Sequence, residues 1–170
     1  MKDVKIRKVK YEGELDLAGY KIPCFVLEDG TRILSSRGMQ IALKIVDDAK
    51  ETRGAELGRF LAQKSLQPFI YKGGKVANFD PLVCQKGEVI IKGYNAIVLP
   101  DFCDRMLEAR RNIKLKGRQS IVASQCEILM RSFAKVGIIA LIDEKTGYQK
   151  FREQTLQEIL KLYISEEILE

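Results

Sequence analysis

The sequence predicts an α+β fold, an N-terminal antiparallel β-hairpin region followed by a mainly helical C-terminal half. Three observations carry this. Apolar and polar residues alternate through much of "GELDLAGYKIPCFVLEDGTRIL", residues 13–34, the period of strands with one buried face. From Arg118 onward apolar residues recur instead every three to four positions, the period of a helix. No internal repeat or low-complexity segment breaks this order. The 170 residues read as a single domain, 1–170, with a hairpin-plus-helix part at 1–66 and a mainly helical part at 67–170.

Each element has its own signal. Leu15 and Leu17 share one strand register, and Ile22, Cys24 and Val26 another. Ala18-Gly19 and Asp29-Gly30 mark turns, the second a strong hairpin signal. Pro23 lacks an N–H, so its strand is expected at an edge or with a bulge there. Ser35 and Ser36 are N-cap candidates for a helix whose stripe is Met39, Ile41, Ala42, Ile45 and Val46. Asp47 to Gly54 is charged and reads as a loop, and a shorter helix is expected over Ala55 to Ala62 with Leu57, Phe60 and Leu61 inward. "SLQPFIYKGGKVANFDP" reads as a loop or small hairpin. Val89 to Ile91 reads as a strand, and Pro100 suits the first turn of a helix, where a missing N–H costs nothing. Val122, Cys126, Leu129, Met130, Phe133, Val136 and Ala140 then form one long helical stripe. Leu156, Ile159, Leu160, Tyr163 and Ile164 form the stripe of a last helix.

Composition narrows the chemistry. With 46% hydrophobic and 31% charged residues the chain is a globular one. It has no apolar run of about 18 residues and no signal-type apolar segment after its charged N-terminus, so a cytoplasmic protein without membrane contact is expected. It contains no histidine and four cysteines, Cys24, Cys84, Cys103 and Cys126, none in a C-x-x-C pair. Zinc ligation of ordinary spacing is thereby excluded, as are Ser-His-Asp and Cys-His catalysis. The cysteines read as buried free thiols. No cofactor and no metal are expected.

Charge is uneven. The net charge is +6. Lys2 to Lys10 holds five basic residues and one acid; Arg105 to Arg118 holds six and one; Glu153 to Glu170 holds five acids against Lys161. The second stretch supplies the candidate nucleic-acid-binding residues: Arg105, Arg110, Arg111, Lys114, Lys116 and Arg118. Cations crowded at a helix end and the loop after it can neutralise phosphates and release counterions. The same cations equally suit a solvated surface and the C-terminal end of a helix dipole. No aromatic residues are interleaved, so stacking on single strands is not indicated there.

One motif invites an enzymatic reading. "VGIIALIDEKTGYQ", Val136 to Gln149, ends an apolar run in Asp143-Glu144, as does a magnesium-binding strand of a nucleotide hydrolase. Such a site needs a phosphate-wrapping loop, G-x-x-x-x-G-K-[ST]. Gly73-Gly74-Lys75 has Phe69 where the first glycine belongs and Val76 where Ser or Thr is required. The helical stripe from Arg118 also passes through this run in phase. The run is therefore expected as a buried helix closed by Gly147 in a left-handed cap, with Gly137 permitting close approach of another helix and Tyr148 at least half buried, anchoring the last helix. The carboxylate pairs Asp47-Asp48, Asp143-Glu144 and Glu166-Glu167 read as solvated, because helical neighbours do not share a face.

Together, "LAGYKIPCFVLEDGTRILSSRGM", "LQPFI", "LPDFCDRMLEAR", "ILMRSFAKVGIIALIDEKTGYQ" and "LQEILKLYISEE" resemble the P-sixty-three-C domain family of phage and prophage proteins. The resemblance spans about Leu17 to Glu167 and is most specific at "AKVGIIALIDEKTGYQ". It implies a domain of mobile-element proteins in the bacterial host cytoplasm, some of which also carry DNA-binding modules of antirepressor or regulator type. It implies no catalytic residue. Family members continue past the position of Glu170 with another helical segment, so a short or C-terminally truncated member is expected. The leading functional expectation is a non-enzymatic regulatory or adaptor domain that contacts nucleic acid through Arg105 to Arg118, its last helices mediating assembly or partner binding. The alternative is a protein-interaction module of antirepressor type without nucleic-acid contact. The third is a carboxylate-metal nuclease using Asp143 or Glu144.

Overall fold

A computed structural model describes residues 6–46, 56–70 and 79–169. The expected loop at Asp47 to Gly54 and the Gly73-Gly74-Lys75 sequence lie outside these residues. The fold is α+β. Strands β1 (Arg7–Leu17), β2 (Tyr20–Leu27) and β3 (Arg32–Ser35) precede helices α1 (Ser36–Ala42), α2 (Glu56–Leu61) and α3 (Gln67–Ile70). Strands β4 (Leu82–Lys86) and β5 (Val89–Asn95) follow, then α4 (Val98–Asn112), α5 (Arg118–Thr146), a 3-10 turn at Tyr148–Lys150, and α6 (Leu156–Leu169).

The strands close into a small barrel in the order β1-β2-β3-β5-β4. Every pairing is antiparallel except the closing one, where Arg7 and Lys8 of β1 run parallel to Cys84 and Gln85 of β4. The pairing thus crosses residue 66, since β4 and β5 complete a sheet begun by β1 to β3. Positive φ at both Ala18 and Gly19, 55° and 85°, makes the tight turn that matches strand twist. Asp16 steadies it by accepting the Gly19 N–H. At the second hairpin Asp29 accepts the Thr31 N–H at 3.0 Å. Pro23 pairs with Glu14, but the β2–β3 ladder starts only at Cys24. The proline therefore sits where its strand has lost one neighbour, as its missing donor requires.

Two apolar faces result from strand alternation. Phe25, Leu27, Ile33 and Cys84, with Val9, Leu82 and Ile91, plug the barrel. Leu17, Ile22, Leu34 and Tyr94 face the helices and join Met39, Leu57, Leu66, Phe102, Met106, Val122, Cys126 and Leu129 in the main core. Gly93 is required where β5 crosses β3. A Cβ there would lie 2.4 Å from Ile33 Cγ2 and 2.6 Å from the Leu34 carbonyl oxygen.

The helices follow the expected signals with informative differences. Ser35 caps α1 by accepting the Gly38 N–H at 3.3 Å. The helix stops at Ala42, so Ile45 and Val46 lie beyond it in a turn where Lys44 has φ 60°. Polar side chains then join the parts. Gln125 of α5 donates to the Ala42 carbonyl at 2.7 Å, satisfying an acceptor left open at the end of α1. Gln40 donates to the Ser36 carbonyl and accepts the Leu57 N–H, tying α1 to α2. Pro100 falls in the first turn of α4 as expected. Leu57, Phe60 and Leu61 point inward from α2, and Phe60 meets Phe102 edge-on at 5.9 Å. Truncating a core residue such as Leu129 or Phe102 to alanine costs about 2–5 kcal/mol at sites of this burial.

Candidate functional site

The six basic candidates divide by what they touch. Arg105 is half-buried and donates to the Phe69 carbonyl at 3.3 Å, holding α3 against α4. Arg110 lies 3.1 Å from Glu127 of α5, and Glu127 is also 2.9 Å from Arg131. Arg118 donates to the Lys44 carbonyl at 3.1 Å, beside the Gln125 clamp. These three serve the fold. Arg111, Lys114 and Lys116 are exposed, and no hydrogen bond or ion pair engages them among the described residues. They occupy the last turn of α4 and the extended link to α5. Lys44 joins this cationic end through Arg118. Lys64 joins it through its neighbours Gln63 and Ser65, both bonded to Gln119 at the start of α5. The structure therefore gathers a basic patch, with a different membership from that read along the chain.

The "IIALIDE" run is helical, as the in-phase stripe requires, and α5 ends at Gly147 with φ 80°. Thr146 supports the cap: its hydroxyl donates to the Ile142 carbonyl at 2.8 Å and accepts the Tyr148 N–H at 3.3 Å. Asp143 is buried, and its Oδ2 lies 2.6 Å from Arg152 Nη1. Arg152 Nε also donates to the Gln154 carbonyl at 2.7 Å. This carboxylate is thus spent on fixing the link between α5 and α6, while Glu144 is exposed. Among the described residues no group of three His, Cys, Asp or Glu is placed to hold a metal.

Four expectations for this region are corrected, the first being solvated carboxylate pairs, since Asp143 is buried and Glu167 is ion-paired. Tyr148 is 55% exposed, so it does not anchor the last helix. The anchors are the Asp143–Arg152 pair and Gln157. Gln157 both accepts the Asp16 N–H at 2.9 Å and donates to the Asp16 carbonyl at 2.7 Å, as a neighbouring strand would. Gly137 admits no second helix: a Cβ built there meets nothing within 4 Å. The run is also not buried. Ile138 is 55%, Leu141 62% and Ile142 54% exposed, and Phe151 beyond the turn is 76% exposed.

These exposed apolar side chains are the feature that sequence reasoning missed. The first half of α5 is covered by the core, with Val122, Cys126 and Leu129 fully buried. Past Val136 its neighbours are α6 and the 3-10 turn, and α6 buries Ile159, Leu160 and Ile164. Glu167 of α6 lies 3.4 Å from Arg131 and 3.3 Å from Lys135, and Lys135 stands over the Tyr163 ring. The two helices form an arm, and Ile138, Leu141 and Ile142 lie on the side that α6 leaves open. A signal existed: "VGIIALI" is apolar all round the helix, and one neighbour can cover only one stripe. No helix among the described residues is long and apolar enough to cross a membrane. No family model, no curated protein and no solved structure matches this chain.

Proposed function

We propose that the chain is a non-enzymatic adaptor that works by protein–protein contact, pairing through the α5–α6 arm with a second copy of itself. The observation that carries this reading is the exposure of Ile138, Leu141 and Ile142 together on one side of α5. Apolar side chains grouped in this way mark interaction surfaces. Several charges of the arm are paired within it, Glu167 with Arg131 and Lys135, and Asp143 with Arg152, and the exposed Glu144 and Lys145 beside the face carry opposite signs. The face therefore offers apolar area with little net sign. An occupant of matching character is the same face on another copy, which a two-fold axis makes self-complementary. Two helical hairpins joined in this way make a four-helix bundle. The resemblance to phage regulatory domains agrees with an adaptor that assembles.

Sedimentation tests this. The wild type should associate reversibly, and Leu141→Glu should weaken association by about 2 kcal/mol or more, roughly 30-fold in dissociation constant. The variant's fold should be unchanged by circular dichroism. A wild type that stays monomeric at the highest attainable concentration overturns the reading.

The basic patch favours a second reading, in which the same adaptor touches nucleic acid through Arg111, Lys114 and Lys116. Duplex DNA or RNA binding that falls steeply with salt, and that alanine at these three positions removes, supports it. Arg105, Arg110 and Arg118 are unsuitable for that test, because their loss disturbs packing. The nuclease reading predicts magnesium- or manganese-dependent nicking lost in Asp143→Asn; the Arg152 pairing argues against it.

A further inference from the structure

A dent in the helix-facing side of the sheet lies beside the core, centred on Gly13. Register places it. Gly13 of β1 pairs with Cys24 of β2, and Cys24 with Leu34 of β3. In the next row Tyr11 pairs with Val26, Val26 with Arg32, and the Ala96 N–H bonds the Arg32 carbonyl. Strand alternation puts all these side chains on one face. The open space over Gly13 is part of a pocket of about 340 Å³, also lined by Leu15, Cys24, Val26, Leu34 and Ala96.

Nothing in the backbone asks for glycine at this position. Its φ lies outside the left-handed range, and a Cβ there would meet only Cys24 Sγ at an ordinary 3.7 Å. Gly93, by contrast, is forced by collision. A glycine inside a strand costs about 0.5–1 kcal/mol relative to alanine. What the chain gains in exchange is the space itself.

The rim has a sign. Arg32 is exposed at the mouth, and its guanidinium has no partner among the described residues. Lys10 stands 5.5 Å over the ring of Tyr11, another wall of the dent. The rim acid, Glu12, is ion-paired with Lys86. The uncompensated charge is positive, over an apolar floor. Cavities of this size and character hold small molecules, with a few polar groups fixing orientation.

We propose that this dent binds a small amphipathic carboxylate, its apolar body lying over Gly13 and Cys24 and its carboxylate on Arg32. Burial, aided by Glu14, pushes the Cys24 thiol above its ordinary range. The thiol is therefore a slow nucleophile near neutral pH, reachable by a reagent but suited to binding over reaction.

Octanoate, with octanol as its uncharged counterpart, tests the proposal on the whole chain. Amide resonances of Gly13, Cys24 and Arg32 should shift saturably with octanoate, and Cys24 should react more slowly with an uncharged maleimide. Gly13→Val should abolish both effects while leaving the melting temperature equal or higher, which separates a filled site from a misfolded chain. Arg32→Gln should weaken octanoate about tenfold while leaving octanol unchanged. Three outcomes overturn the proposal. One is the absence of saturable shifts. Another is undiminished binding by Gly13→Val. The third is protection of Cys24 that grows with protein concentration without ligand, which would assign the dent to a side chain of a second copy.

Discussion

Glu127 shows how a single residue decides what a basic run is for. It lies 3.1 Å from Arg110 and 2.9 Å from Arg131. The Arg110 hydrogen bond, opposed by partial burial and aided by both positive charges, holds its carboxyl below the ordinary range. A carboxyl whose folded value is lowered stabilises the fold at pH above its unfolded value and loses that contribution as pH falls through the lowered one. Both partners are about one-third exposed or more, so screening keeps the contribution below about 1 kcal/mol. Glu127→Gln should therefore be slightly less stable than wild type near neutral pH in urea unfolding, and the gap should close in acid. A gap that persists or widens in acid would mean the carboxylate is not the stabilising species. This pairing explains why Arg110 was legible as basic but not as occupied. The acid that holds it is 17 residues away, on the next helix.

At the scale of elements, periodicity found what local chemistry fixes and missed what other elements decide. The course of α5 and its cap at Gly147 follow from an unbroken stripe and one residue able to adopt positive φ. The strand β4 was illegible. It lies between Gly87 and the turn-rich segment that ends at Pro81, and pairing with β5 and the start of β1 makes it a strand. Exposure was legible only in part, because a run apolar all round tells that one neighbour leaves a side open but not which side. The attachment of α6 rests on Gln157, whose amide replaces a strand's donor and acceptor at Asp16. Removing it leaves two backbone groups to water and unties the arm from the barrel. Gln157→Ala should cost about 1–2 kcal/mol for the two bonds. It should also raise amide exchange in α6 well above that in α4. Equal exchange rates in α6 of variant and wild type would show that its packing and its ion pairs hold the helix without Gln157.

For the whole molecule, the question is what a small barrel gains from carrying a long arm. The barrel and the first half of α5 share one core, to which α6 adds Leu160 and Ile164. The second half of α5, the 3-10 turn and α6 add a hairpin whose inner stripe is buried and whose outer residues Ile138, Leu141, Ile142 and Leu162 are left to solvent. Burying one such side chain is worth about 1.5–3 kcal/mol. An arm that keeps several of them uncovered is therefore less stable alone than when paired. Association that occurs only in the folded state raises apparent stability by mass action. The melting temperature of the wild type should consequently rise with protein concentration, whereas that of Leu141→Glu should not. Near-equal melting of the two proteins at high dilution would place the effect in association and not in the fold of the arm. A wild-type melting temperature independent of concentration, measured where sedimentation shows a dimer, would mean that the pairing surface lies elsewhere and that the exposed face of α5 serves a different partner.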